Sequence, residues 1–164
     1  MVEPQLRCQK AVADVTASRF AQQRECRHYL DFGSGVGSGA ILFARHGFQV
    51  TLADIGTRLL DFSRWRLALR GLPAQPIDLN AAASQPGIRF RQCHGRLRNL
   101  VDPPGAVEQI GSALKPGGFL FARITAEPDE DRPQHIVQDF EPTFERLRSL
   151  GFIEVWRDEW LWGR

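Results

Sequence analysis

Strands alternating with helix-length segments predict an α/β chain: a doubly wound, mostly parallel sheet with helices on both faces. Two observations carry this expectation. A short strand (28–32) runs straight into a glycine-rich turn and a helix, and the strand–helix alternation then continues to the end of the 164 residues. That length suits one domain with a core of its own. Hydrophobic residues make up 43% and charged residues 24%, a globular composition, and a net charge of +2 gives no indication of a nucleic-acid partner.

The elements follow from local signals. Residues 1–27 form an N-terminal helical segment in which Leu6, Val12, Val15 and Phe20 are the apolar positions, and 28–164 form the main domain. After the strand at 28–32 and the turn Gly33-Ser34-Gly35-Val36-Gly37-Ser38-Gly39, a helix spans 40–46 and Gly47 caps it. A second strand covers 48–53 and ends at Asp54. Over 57–70, Leu59, Phe62, Trp65 and Leu69 recur at steps of three and four, which predicts an amphipathic helix with those residues inward. Arg58, Arg64 and Arg70 then face water, and Gly71 closes the helix. A short strand at 76–79 is followed by a polar connection over 80–87.

Residues 103–114 predict a helix that stops at Lys115-Pro116-Gly117-Gly118, because proline cannot continue it and glycine accepts the turn. A strand follows over 118–125, then an acidic loop over 126–133. A last helix over 142–150 turns Phe144, Leu147 and Leu150 inward, Gly151 caps it, and strands are expected over 152–156 and from Trp160.

Cys8, Cys26 and Cys93 are odd in number and widely spaced, which argues against a disulfide framework or a zinc site and for a reducing cytoplasm. The N-terminus has no apolar signal core, and no apolar run approaches membrane-spanning length, so no membrane partner is expected.

A strand that feeds a glycine turn and a helix N-terminus is a ligand device, since glycine admits close approach and the helix start offers N–H groups. Gly35 to Ala40 also satisfies the dinucleotide pattern G-x-G-x-x-A, so nicotinamide binding is a rival. Asp31 weighs against it. At the tip of a buried strand, an unpaired carboxylate is costly and calls for a cation rather than a phosphate. Asp54 at the second strand's end suits a pair of ribose hydroxyls, and Asp78-Leu79 suit the border of an adenine ring.

The segments Tyr29-Leu30-Asp31-Phe32-Gly33-Ser34-Gly35-Val36-Gly37, Val50-Thr51-Leu52-Ala53-Asp54-Ile55 and Leu114-Lys115-Pro116-Gly117-Gly118-Phe119-Leu120 resemble the class I S-adenosylmethionine (SAM)-dependent methyltransferases, in order and spacing. The resemblance covers 28–162 and implies a Rossmann-like, seven-stranded sheet with one antiparallel strand, whose last strand is incomplete here. It implies that Asp31, Gly33, Ser34, Gly35 and Gly37 surround the methionine portion of SAM. Asp54 would hold the ribose, while Ile55, Asp78 and Leu79 border the adenine. The implied reaction passes a methyl group to a small-molecule acceptor, with no metal and no catalytic residue that the sequence identifies.

One stretch departs from the family pattern. Residues 88–101 should supply a central, apolar fourth strand, yet they hold Arg89, Arg91, Arg96, Arg98, Gln92 and His94. A short frame-shifted stretch and a divergent or inactive relative are the two readings. The second opens the rival function of a non-catalytic module working through protein contacts. Elsewhere His135 reads as a loop histidine, His28 and His46 as structural, and Trp156, Trp160 and Trp162 as packing on terminal strands.

Overall fold

The computed structural model of the chain describes residues 5–81, 90–95, 100–122 and 139–155. Along them run α1 (Gln5–Gln23), β1 (His28–Phe32), α2 (Ser38–Arg45), β2 (Gln49–Asp54), α3 (Thr57–Ala68), β3 (Ala74–Asp78), β4 (Phe90–Gly95), α4 (Pro103–Ala113), β5 (Leu114–Ala122) and α5 (Glu141–Ser149). The sheet order is β3-β2-β1-β4-β5, and every neighbouring pair is parallel. Among the described residues the antiparallel strand implied by the family resemblance does not occur. No helix among them is long and apolar enough to cross a membrane.

Alternation along β1 explains the two layers of core. Tyr29 enters a cluster with Ala17 and Ala21 of α1, Phe43 of α2, and Leu60 and Leu67 of α3. Leu30 and Phe32 point the other way, to Val107 and Ile110 of α4 and to Phe144 and Leu147 of α5. Successive strand residues face opposite sides, so one strand anchors both layers. Tyr29 lies nearly parallel to Phe43, with ring centroids 3.7 Å apart. On the same face, Phe20 of α1 meets Phe119 of β5 edge-on at 5.1 Å, which seats the N-terminal helix on the sheet.

The chain moves outward from β1 through β2 to β3, then returns to β4 on the other side. Crossovers leaving the C-terminal ends of β1 and β4 therefore diverge, and a crevice opens between them. Phe32 pairs with Ala53 and with Gly95, while Asp54 pairs with Asp78, so these strand ends share one edge of the sheet.

Within the arginine-rich stretch, six residues that include only Arg91 of its four arginines form the fourth strand. Phe90–Gly95 pairs with β1 and β5, and register places His94 beside Asp31. The flanking residues 88–89 and 96–99 lie outside the described set.

Four expectations are corrected. In α3 the buried residues are Leu60, Ser63 and Leu67, whereas Leu59, Phe62, Trp65 and Leu69 are all exposed. Both sets have helical spacing, and the one that contains a serine wins because that serine reaches the glycine turn. The fifth strand starts at Leu114 rather than 118. Phe90 pairs with Leu114 but Gln92 with Phe119, so Lys115 to Gly118 form an irregularity inside the ladder, with Gly117 at φ 74°. Leu150 is exposed, although its Cδ1 would lie 3.3 Å from a Cβ at Gly111 of α4. Residues 152–155 form no strand, and Ile153 and Val155 are exposed while Phe152 packs on the second core. The expectations for 126–133, His135, Trp156, Trp160 and Trp162 fall outside the described residues.

Asp102 caps α4, its Oδ1 accepting from Gly105 N–H at 2.9 Å ahead of Pro103. Asp102→Ala is expected to lower stability by about 1 kcal/mol, read from denaturant unfolding, without changing the sheet.

Candidate functional site

The glycine turn is fastened to β2. Gly33 and Ser34 N–H both donate to Ala53 O, at 2.8 and 3.1 Å, and Gly37 N–H closes on Ser34 O at 2.9 Å. Gly33, Gly35 and Gly37 have φ of 71°, 53° and 70°, a region other residues enter only at a cost. Their surroundings differ. A Cβ on Gly33 or Gly35 would meet no atom within 4 Å, whereas one on Gly37 would strike Ser63 Cβ at 2.9 Å. The first two therefore line open space, and the third lets the turn pack on α3.

Asp31 is buried, and its Oδ2 accepts from Ala40 N–H in the first turn of α2 at 3.2 Å. This corrects the premise that its carboxylate lacks a protein partner. The first N–H groups of a helix have no acceptor within the helix, and a carboxylate at that end is favoured by the dipole. Tyr29 Oη, Asp31 Oδ2 and Asp14 Oδ2 all lie within 3.8 Å of where a Cβ on Gly39 would stand. Asp14 belongs to α1 and is itself buried.

Asp54 is buried too, and both of its oxygens bind backbone: Oδ2 accepts from Gly35 N–H at 2.7 Å and Oδ1 from Gly56 N–H at 2.8 Å. Each carboxylate oxygen has a second lone pair that could accept a further donor. Asp78 Oδ1 accepts from both the backbone N–H and the side-chain amide of Asn80, each at 2.9 Å, and the same amide donates to Ile55 O at 2.8 Å. Leu79 N–H donates to Asp54 O at 3.0 Å. Ile55 is exposed at this edge and Leu79 half-buried, an apolar wall open on one side.

The nine residues expected at the site do gather at one edge of the sheet. Their supports were missed. Ser63 Oγ lies 2.7 Å from Gly35 O and 2.6 Å from Leu59 O, and Arg66 donates to Val36 O, so α3 holds the turn by its carbonyls. The available signal for Ser63 was a small polar residue on a stripe with Leu60 and Leu67. For Asp14 it was an acid one position beside the alanine ladder Ala13, Ala17, Ala21.

Ser34 bears on ligand fit. Its side chain is buried at 7% exposure, yet Oγ has no hydrogen-bond partner. A native fold seldom leaves such a hydroxyl unsatisfied unless a ligand or water meets it. Together with open space at Gly33 and Gly35, this suits the turn to a polar ligand that comes close to the backbone. A family model described as a methyltransferase domain matches residues 5–159, nearly the whole chain. The chain belongs to the class I SAM-dependent methyltransferases.

The family's cofactor is SAM, and the match decides against the nicotinamide reading. The chain is similar to the tRNA 5-carboxymethoxyuridine methyltransferase of Escherichia coli K12, 28% identical over 97 residues, 56% of this chain and 37% of that protein. The ubiquinone biosynthesis O-methyltransferase of Xanthomonas euvesicatoria is 34% identical over 97 residues, covering 56% and 40%. The chain thus spans about two-fifths of the length of these curated relatives. Among solved structures, the YcgJ protein of Bacillus subtilis superposes with a TM-score of 0.69 at 18% identity, covering 85% of this chain and 68% of that one. The [4+2]-cyclase SpnF gives 0.63 at 23% identity, covering 84% and 57%. At such identities these structures speak for the fold alone, and the cyclase shows that this methyltransferase fold also carries other chemistry.

Proposed function

We propose that the chain binds SAM across the C-terminal ends of β1, β2 and β3 and directs its methyl group to a small-molecule acceptor. Bound there, SAM supplies a methyl group made electrophilic by a sulfonium. The turn at Gly33, Ser34, Gly35 and Gly37 would lie against the methionine portion, with the carboxylate of Asp31 beneath it. Asp54 would receive the ribose hydroxyls on its remaining lone pairs, and Ile55, Asp78 and Leu79 would enclose the base. What the protein contributes is orientation, which aligns an acceptor with the methyl carbon and restricts its motion.

A small-molecule acceptor is supported by the ubiquinone biosynthesis O-methyltransferases among the relatives and by the low net charge. The similar tRNA methyltransferase makes a nucleic-acid acceptor the reading to test against it. The arginines of the 88–101 stretch favour one other reading, a SAM-fold module without turnover. Incubation with radiolabelled SAM and either small phenols or total tRNA separates all three: label on phenol supports the proposal, label on tRNA redirects it, and binding without transfer leaves the module.

The observation that carries the proposal is the unsatisfied Ser34 hydroxyl in an open glycine cradle. Ser34→Ala is expected to leave the apo protein equally stable or up to about 1 kcal/mol more stable, since a buried orphan is removed. Its SAM affinity, by calorimetry, should fall about three- to tenfold, the value of one hydrogen bond. Unchanged affinity would show that Ser34 does not meet the cofactor.

A further inference from the structure

The outer side of α3 carries a ridge that the core does not use. With Leu60, Ser63 and Leu67 inward, helical geometry sets Arg58, Phe62, Trp65 and Leu69 in one line on the opposite side. Phe62 is 45% exposed, Trp65 56% and Leu69 64%. The Phe62 and Trp65 rings stack on each other, centroids 5.6 Å apart, and Trp65 also borders a cavity with Leu72, Pro73 and Ala74. A contiguous apolar strip this exposed marks a contact surface.

Charge says what it contacts. Between Thr57 and Arg70 the chain has Arg58, Arg64, Arg66 and Arg70 against Asp61 alone, a net of +3 that exceeds the +2 of the whole protein. Arg66 and Arg70 lie along one flank, donating to the carbonyls of Val36 and Arg66. Arg64 stands on the other flank, in a loose 3.7 Å pair with Asp61 whose side chains are 54% and 76% exposed. Trp, Phe and Leu on a line flanked by arginines is the pattern of a helix that lies in a bilayer interface, apolar side down, cations at headgroup level. Nucleic acid is a poorer match, because single strands are held on successive aromatic stacking platforms along a charged groove, and this strip is partly aliphatic.

We infer that α3 docks the protein peripherally on anionic lipid surfaces, through Phe62, Trp65 and Leu69 with Arg58 and Arg64 at the phosphates. Such a contact needs no spanning helix, so it is compatible with the lack of one among the described residues. The N-terminus of α3 at Thr57 adjoins Asp54 and Gly56, which brings the crevice close to the surface so engaged.

Flotation with vesicles of phosphatidylcholine containing about a quarter phosphatidylglycerol tests this, with pure phosphatidylcholine and high salt as comparisons. The wild-type chain is expected to float with the anionic vesicles, at least about fivefold less with neutral ones, and to be released by salt. Trp65→Gln/Leu69→Gln should reduce flotation at least about tenfold while circular dichroism and SAM titration stay as in the wild type. Arg58→Gln/Arg64→Gln should remove the preference for anionic lipid. No flotation of the wild type, or flotation undiminished in W65Q/L69Q, overturns the inference. So does a wild-type dimer in sedimentation that W65Q/L69Q dissolves, since the ridge would then be a contact between copies.

Discussion

Asp31→Ala should lower SAM affinity at least about thirtyfold, the lower end of the 2–5 kcal/mol lost when one member of a buried charge pair is truncated. It should also cost about 1.5–3 kcal/mol of stability, because the same carboxylate accepts from Ala40 N–H at the start of α2. Asp31→Asn separates the two roles. Its amide oxygen can still accept that N–H, so most of the stability returns, while the negative charge and the affinity do not. Calorimetry with both SAM and S-adenosylhomocysteine refines the result: each has the ammonium group but only SAM the sulfonium. Equal losses place the charge effect at the ammonium, and a larger loss for SAM places it at the sulfur. If D31N binds SAM as tightly as wild type, Asp31 serves only to cap the helix, and the cation argument fails.

The second large effect contrasts two glycines of similar backbone. Gly37→Ala meets a φ of 70° and puts a methyl 2.9 Å from Ser63 Cβ, in a helix position fully buried. Conformational strain and overpacking together should cost about 3 kcal/mol or more, seen as a large fall in the thermal midpoint. Gly33→Ala has nearly the same φ, 71°, yet no atom within 4 Å of its new methyl. Only the backbone term of about 1–2 kcal/mol applies, but the methyl occupies the space assigned to the cofactor. G33A is therefore expected to keep most of its stability and lose SAM binding, and G37A to be the far less stable of the two. Equal melting temperatures for the two would mean that the turn can shift away from α3.

This contrast also marks the boundary of what the sequence discloses. Strands β1 and β2, the turn and the caps at Gly47, Gly71 and Gly151 follow from signals a few residues long, and all three caps have positive φ. Asp31, Asp54 and Asp78 could be placed because each stands at the end of a strand or one residue before it, and parallel strands of one sheet bring such ends to a common edge. Features that depend on a distant partner were illegible. Leu114 to Gly118 reads as a stop, and only pairing with β4 draws it into the ladder. The inward side of α3 was misjudged because a serine counts against burial in any pattern of hydrophobicity. Its value lies in a carbonyl 28 positions away. Asp14 is hidden for the same reason: nothing near it in sequence announces Gly39.

Ser63 and Arg66 fasten the turn at its carbonyl oxygens, while Ala53 fastens it through its amides. Restraint of this kind acts in both directions. A molecule that immobilises the loop also suppresses the opening motions of the helix gripping it, in proportion to its occupancy. Deuterium uptake along 57–68 would then slow when the nucleoside is bound, in amide protons the ligand never approaches.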